Sequence, residues 1–555
     1  MALLPFGSFK EGAVALLVGT VLVLLVKFWR SVVPVYFSPL RRLRGPPNGE
    51  LLFGNLKQIG SESAELTQEW IAQYGRTFRF YGPLRAPRLF TTDLRAINHV
   101  LTRSMEYYKP PESRKGLARL LGEGVLVTEG AKHKQQRHIM NPAFGPAQIR
   151  ELTEIFLEKA NGLCEYWNAQ IAAQGGSART NVIEGLSKMT LDVIGLAGFS
   201  YEFDALNPEK PTNELNRAFS VIFKQPPKMN LFAIIGGFVP VLQRLDPRVR
   251  QGDEAKAVMQ RIGMELLQEK KASILSEKSA GGVEKKDVQG RDLLTLLLKA
   301  NMATDVPDSQ RLTDEEVIAQ VPTFLVAGHE TTSTATTWCL HALTQDPAIQ
   351  TKLRAELLSV HTDTPSMDDL NALPYLDHVV RETLRLYSPV TITSRVAQTD
   401  DVLPLSEPIT DRAGNTLHEL PLPKGSRVQI PILALHRLKA LWGEDAAEFR
   451  LNCARARPRR PERWDNPPEA TANMPGVWGH LLTFLGGPHA CIGYRFSLVE
   501  MKALVFTLVR NFEFELAVPK EDVKPLGLFL QRPCLASERE KGAQLPLLLR
   551  PYRRS

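Results

Sequence analysis

The stretch Phe484-Leu485-Gly486-Gly487-Pro488-His489-Ala490-Cys491-Ile492-Gly493 leads straight into an apolar helical pattern from Phe496 to Leu508. A cysteine just ahead of a helix meets the aligned N–H groups of its first turn, which favour a thiolate. The neighbouring glycines let the backbone approach a flat ligand and donate to the sulfur. Taken alone, the cysteine has two readings, an inert buried residue and a metal thiolate. The rest of the chain has to choose between them.

Composition narrows the field first. The chain has 555 residues, 43% hydrophobic and 23% charged, with 38 Gly and 39 Pro. That is globular composition and excludes collagen, coiled coil and disorder. Five cysteines in such a length exclude a disulfide scaffold and suit a reducing compartment. The net charge of +8 comes with no basic low-complexity tail and no nucleic-acid-binding motif, so no nucleic acid is expected as a partner.

The N-terminus reads as a membrane anchor. Residues 12–26, GAVALLVGTVLVLLV, carry no charge, and about 20 apolar residues span a bilayer. Lys27 and Arg30 can snorkel, while Phe28, Trp29, Val32, Val33 and Tyr36 prolong the apolar run. No small-x-small cleavage site follows, so an anchor is preferred to a signal peptide. Basic residues Lys27, Arg30, Arg41, Arg42 and Arg44 crowd its C-terminal side and place the body in the cytoplasm. The expected organisation is a lumenal stretch 1–11, an anchor 12–33, a Pro/Gly hinge 34–50 around Arg44-Gly45-Pro46-Pro47-Asn48-Gly49, and one body 51–555.

Within the body, helical periodicity covers Pro146–Ala172, Glu254–Ser276, Asp314–Thr344, Ala348–Ser359 and Ser497–Val509. Short β-like runs occur at Thr77–Tyr81, Arg88–Thr92 and Arg427–Ile430. Pro and Gly crowd Leu403–Gly425 and Pro458–Pro488, and Lys270–Arg291 turns polar as a linker would. Four further clusters stand out. Ala327-Gly328-His329-Glu330-Thr331-Thr332 sits in an apolar helix, where two small residues open room and a threonine can bond back to an earlier carbonyl. Glu382 and Arg385 lie one helical turn apart, where they can pair. Pro461-Glu462-Arg463-Trp464 and His133-Lys134-Gln135-Gln136-Arg137 are the others.

Together these stretches resemble the cytochrome P450 family. Its loop Phe-x-x-Gly-x-Arg-x-Cys-x-Gly is matched at Phe484, Gly487, Cys491 and Gly493, with His489 in the arginine position. The resemblance spans roughly residues 45–535. It implies a fold that is mainly α with a minor β domain, the cytochrome P450 fold, preceded by the N-terminal transmembrane helix. It implies haem b (iron protoporphyrin IX) as cofactor, with Cys491 as the axial ligand of the iron. His489 and Arg395 would reach haem propionates. His133, standing where the family usually has tryptophan, and Arg137 would complete the cofactor contacts. Glu330 and Thr331 would form the acid–alcohol pair that relays protons, while His329 falls at a variable position and is given no catalytic role. Glu382, Arg385 and Arg463 would form a buried structural network.

The implied activity is that of a haem-thiolate monooxygenase placing one atom of O2 into a C–H bond of a lipophilic substrate. A terpenoid or related secondary metabolite is expected, on a sequence that looks fungal. Electrons would come from NADPH through a membrane-bound NADPH–cytochrome P450 reductase, with cytochrome b5 as an auxiliary donor. The expected location is the endoplasmic reticulum membrane, single-pass. Lys132, Lys134 and the neighbours of Arg137 would either meet the reductase or form a solvated face. By family position Tyr107–Leu126, Phe219–Val241, Phe324, Val390–Thr393 and Leu526–Leu530 would line the pocket. Leu231–Leu242 would dip into the membrane or pack in the core. The competing readings are a reductase-independent isomerase or dehydratase of the same fold, and a non-catalytic haem-binding protein.

One departure interrupts the match. Leu451–Arg460, LNCARARPRR, separates Phe449-Arg450 from Pro461-Glu462-Arg463-Trp464, and removing it restores EFRPERW. A retained intron or alternative gene model, and a genuine loop, both remain open readings.

Overall fold

A computed structural model describes residues 37–47, 49–61, 63–210, 214–215, 217–218, 247–277, 292–302, 307, 310–449, 463–527 and 530–553, with scattered positions between 12 and 29. Most of the expected anchor 12–33, the Phe219–Val241 and Leu231–Leu242 segments, the end of the polar linker and the Leu451–Arg460 insertion lie outside the described residues. Among the described residues no helix is long and apolar enough to cross a membrane. The chain forms two compact units, Met1–His99 with Ser394–Ile430, and Val100–Thr393 with Pro431–Ser555.

The smaller unit is built on a sheet. Strands Thr77–Tyr81 and Pro87–Thr91 are antiparallel, and Phe78 stands opposite Phe90 with the rings stacked 4.6 Å apart. Phe78, Phe80, Leu89 and Phe90 are fully buried, each such side chain contributing about 1.5–3 kcal/mol of burial. Pro87–Thr91 pairs in parallel with Arg427–Ile430, which is flanked by Thr393–Ala397. The proline-rich stretch after Leu403 departs from expectation: Asp401–Thr410 and Thr416–Leu422 form an antiparallel ribbon with an irregularity between Pro404 and Ile409. A two-stranded ribbon has only edges, so a proline nitrogen can face outward without breaking a ladder.

The larger unit is helical. Six of its helices carry the argument: α1 (Gly130–Met140), α2 (Pro146–Ala173), α3 (Val182–Phe199), α4 (Gln320–Gln345), α5 (Pro374–Leu386) and α6 (Tyr494–Asn511). Helix α4 is buried along most of its length and packs closely on α3. A Cβ on Gly328 would lie 2.9 Å from Ile194 of α3, so this glycine serves helix–helix approach. Of the two small residues expected to open room, only Ala327 does so, standing exposed between half-buried Val326 and Gly328. Helix α6 lies against α2, with Phe496 edge-on to Phe156 at 4.8 Å.

A buried ion pair ties helix α5 to the chain around it. Arg385 donates from Nε and Nη2 to the two oxygens of Glu382 at 2.9 and 2.8 Å, and both side chains have zero exposure. Its remaining hydrogens go to the carbonyls of His436, Ala446 and Glu448. Trp464 Nε1 donates to Glu382 at 3.1 Å, and Arg463 approaches the same carboxylate at 3.5 Å while donating to Trp442 O at 2.7 Å. The five Arg385 hydrogens and both Glu382 oxygens are thus engaged, the condition under which a buried pair is tolerated.

Glu500 of α6 is the opposite case. It is 1% exposed, and neither oxygen has a hydrogen bond of ordinary geometry. Burial pushes its carboxyl well above the usual range, opposed only by the neighbouring Thr332 hydroxyl, which itself meets Ser497 Oγ at 3.1 Å.

Two outcomes are expected. Glu382→Ala strands the Arg385 charge and lowers unfolding free energy by about 3–5 kcal/mol in chemical denaturation; a loss under about 1 kcal/mol would contradict the network. Glu500→Gln removes a proton-binding site stronger in the folded than the unfolded chain. Native Glu500 loses stability as pH rises above about 4, where the unfolded carboxyl ionises before the folded one, which burial raises. The variant's advantage in thermal midpoint should therefore widen as pH rises above about 4, and a gap independent of pH would refute it.

Candidate active site

Cys491 closes the loop ahead of α6. Its amide donates to Phe484 O at 2.8 Å, and Leu485 N donates to Leu482 O at 2.9 Å, so the segment folds back on itself. Gly487 has φ +68°, and a Cβ there would strike Leu101 O at 2.3 Å. Only glycine meets both demands. Phe484 sits edge-on to Trp478 at 5.7 Å, and the Arg381 guanidinium covers the Trp478 ring at 4.7 Å. Gly493 is under no such constraint: a Cβ there would meet only Phe144 at 3.8 Å.

Cys491 is exposed as a residue, although protein surrounds its thiol. Burial pushes its thiol up, while the Gly493 amide and the Arg137 guanidinium pull it down. Arg137 Nη1 also donates to Ala490 O at 2.7 Å, fixing the residue before the cysteine.

Beside this loop His133 and His489 stack with ring centroids 3.9 Å apart. Burial first, then the His489, Lys109 and Arg137 charges, push His133 down to about 3, so it is neutral. His489 Nε2 lies 2.9 Å from Glu129 Oε2. Glu129 takes the Lys109 amide at 2.8 Å and its ammonium at 3.1 Å on the other oxygen. Burial works to raise Glu129, but His489 and Lys109 outweigh it and hold it at about 2. The imidazole expected at a propionate is therefore engaged by a protein carboxylate that no sequence motif marked.

On helix α4, Thr331 Oγ1 bonds back to Ala327 O at 2.7 Å, which loosens that turn at the one position open to space. Glu330 does not reach the threonine hydroxyl; it pairs with Arg532 of strand Arg532–Leu535 and lies 3.3 Å from His329 Nε2. Burial would raise its carboxyl, but His329 and Arg532 hold it below the ordinary range.

Among the other expected residues, Arg395 lies on strand Thr393–Ala397 of the smaller unit, 2% exposed, donating to Ser394 O at 2.9 Å. Phe324 is buried edge-on to Phe144 at 5.4 Å. Lys132 pairs with Glu316, while Lys134 is exposed. A cleft of about 460 Å³ lies at the start of α4, lined by Leu121, Met259, Met264 and Pro322 with Lys256 and Glu316; no expected catalytic or cofactor residue borders it.

His436 escaped the sequence reading, being a lone histidine in an apolar run. It has no exposure, and burial with the Arg385 charge pushes it down to about 3. Neutral, it accepts Leu482 N at 2.8 Å on Nε2 and donates from Nδ1 to Ser388 Oγ at 3.1 Å.

An exposed cysteine with an amide donor and a guanidinium beside its sulfur suits a soft metal held from one side. Arginine and neutral imidazole alongside suit the carboxylates of a flat cofactor. The donor set therefore fits haem.

Comparison with known proteins agrees. The profile described as Cytochrome P450 matches residues 44–536. The chain is 55% identical over 535 residues to Cytochrome P450 monooxygenase 205 of Postia placenta, covering 95% of this chain and 96% of the relative. It is 36% identical over 532 residues to Cytochrome P450 monooxygenase claO of Ampulloclitocybe clavipes, covering 92% and 93%. It is 34% identical over 501 residues to ganoderic acid synthetase CYP5150L8 of Ganoderma lucidum, covering 86% and 88%. A profile and relatives that run through both units leave one conclusion: the chain belongs to the cytochrome P450 family and is a haem b-dependent monooxygenase.

Proposed function

We propose that this monooxygenase hydroxylates a lipophilic small molecule, a terpenoid or related secondary metabolite, with Cys491 as the thiolate ligand of the haem iron. The observation that carries the reading is exposed Cys491 at the start of α6, its sulfur receiving the Gly493 amide and the field of Arg137. When bound, the haem supplies oxygen activation, which thiolate ligation favours. Arg137 and His133 would hold its carboxylates, Arg137 also bonds Ala490 O, and the His489–Glu129 pair keeps the loop before Cys491 in place.

The protein's own part is positioning and proton supply. Glu330 is the acid and Thr331 the alcohol. The Thr331 hydroxyl donates its hydrogen to Ala327 O at the open turn of α4, which leaves its oxygen free to accept a proton; passing its own hydrogen on breaks the Ala327 bond. Val390, 37% exposed beside the bridge to Leu530, offers an apolar wall to substrate, and Thr391 is the polar residue next to it. The name of the Ganoderma lucidum relative, ganoderic acid synthetase, supports a small-molecule product. Two electrons reach the site from NADPH through a membrane-bound reductase, with cytochrome b5 as a second donor and exposed Lys134 on the docking face. The enzyme works at the endoplasmic reticulum membrane, held by residues 12–33, whose uncharged run supports that reading.

Reduced membranes carrying the chain should give a strongly red-shifted Soret band with carbon monoxide, and Cys491→Ser should abolish it while leaving protein in the membrane. A band in the serine variant would remove Cys491 from the iron. Consumption of NADPH should require added reductase; turnover without it would favour an isomerase or dehydratase. Deleting Leu451–Arg460 should leave haem incorporation unchanged if that segment is a tolerated loop, and raise it several-fold if it is an artefact.

A further inference from the structure

The residue between Gly328 and Glu330 has more precise surroundings than a filler needs. His329 Nδ1 lies 2.7 Å from Leu325 O one turn back; a carbonyl only accepts, so Nδ1 carries a hydrogen. That leaves Nε2 facing Glu330 Oε1 at 3.3 Å. A nitrogen lone pair against a carboxylate oxygen repels, so the contact needs a second proton, on Nε2 or on Oε1. Glu330 cannot swing away, because Arg532 engages its other oxygen. Arg532 is itself held, since Trp338 Nε1 donates to Gln531 O at 2.8 Å and Gln531 N donates to Pro389 O at 2.9 Å. Thr190 of α3 donates to His329 O at 3.1 Å, and the His329 and Glu330 side chains are 6% and 14% exposed.

We infer that His329 is a positioning residue for Glu330 that shares one proton with it across the Nε2–Oε1 contact, so that the proton Glu330 gives up is supplied by the imidazole. In the exchange the Nε2 proton moves to Oε1, and the Oε1–H bond so formed breaks toward the acceptor, leaving the carboxylate. A neutral imidazole is left with its hydrogen on Nδ1, to be recharged from water. This rests on the reading of Glu330 and Thr331 as the acid–alcohol pair.

The test uses the membrane-bound holoenzyme with reductase, NADPH and O2 alone, comparing oxygen consumption in H2O and D2O for His329→Gln, His329→Leu, Glu330→Gln and each double variant. Gln keeps a donor for the carboxylate but releases no proton. His329→Gln should therefore match the parent in carbon-monoxide band and thermal midpoint of the ferric protein, yet consume oxygen about ten-fold more slowly with a larger solvent isotope effect. Neither change should deepen when Glu330 is already Gln. The midpoint loss in His329→Leu should shrink in that same background, a readout independent of turnover. If His329→Gln consumes oxygen like the parent while Glu330→Gln is slow, His329 only hydrogen-bonds and the inference fails with the acid–alcohol reading intact. If Glu330→Gln also behaves like the parent, both fall. Should His329→Leu lose the band, His329→Gln alone carries the decision.

Discussion

The Glu382–Arg385 pair sets the terms for the larger unit. Two charges with no exposure are costly unless every hydrogen and lone pair is used, and the surrounding chain is arranged to use them. Arg385 takes the His436 carbonyl, the His436 ring takes the Leu482 amide, and the turn from Leu482 delivers Phe484, whose carbonyl accepts Cys491 N. The sulfur is therefore placed by a hydrogen-bonded path that begins at an ion pair on another helix. A loop held in this way needs no regular secondary structure to be rigid.

The second constraint is charge at the cofactor side. A histidine replaces the family's arginine at position 489, and the neighbourhood shows how the shorter group is managed. Glu129 holds it from one side, His133 covers its face, and Lys109 balances the carboxylate. Arg137 remains the guanidinium nearest the thiol, spanning the Ala490 carbonyl and the field at Cys491. Load is thus moved from one side chain to a cluster.

How much of this the sequence revealed depends on whether the signal was local. Helical periodicity located α2 and α6 closely: α2 buries one continuous face, and α6 is a long, mainly apolar run buried on all sides from Leu498 to Arg510. The Cys491 loop was legible because its glycines and its phenylalanine recur at fixed spacing. The ribbon over 401–422 was not, since proline reads as a breaker unless the strand is known to be an edge. Glu129, His436 and Arg532 gave no signal either: each matters through a partner far away in sequence. Gly328 was misread for the same reason, its neighbour Ile194 lying more than a hundred residues upstream.

The smaller unit draws on two stretches that the ribosome releases far apart. Roughly 300 residues separate His99 from Ser394, and at about 5–20 residues per second their synthesis takes roughly 15–60 s. Throughout that interval Pro87–Thr91 has no Arg427–Ile430 beside it, and its parallel ladder cannot form. The nascent chain thus carries an apolar sheet edge with Leu89 and Phe90 on it until nearly four-fifths of the protein has been made. A strand in that state is a template for wrong pairing, so yield in a foreign host should hinge on what shields this edge during translation.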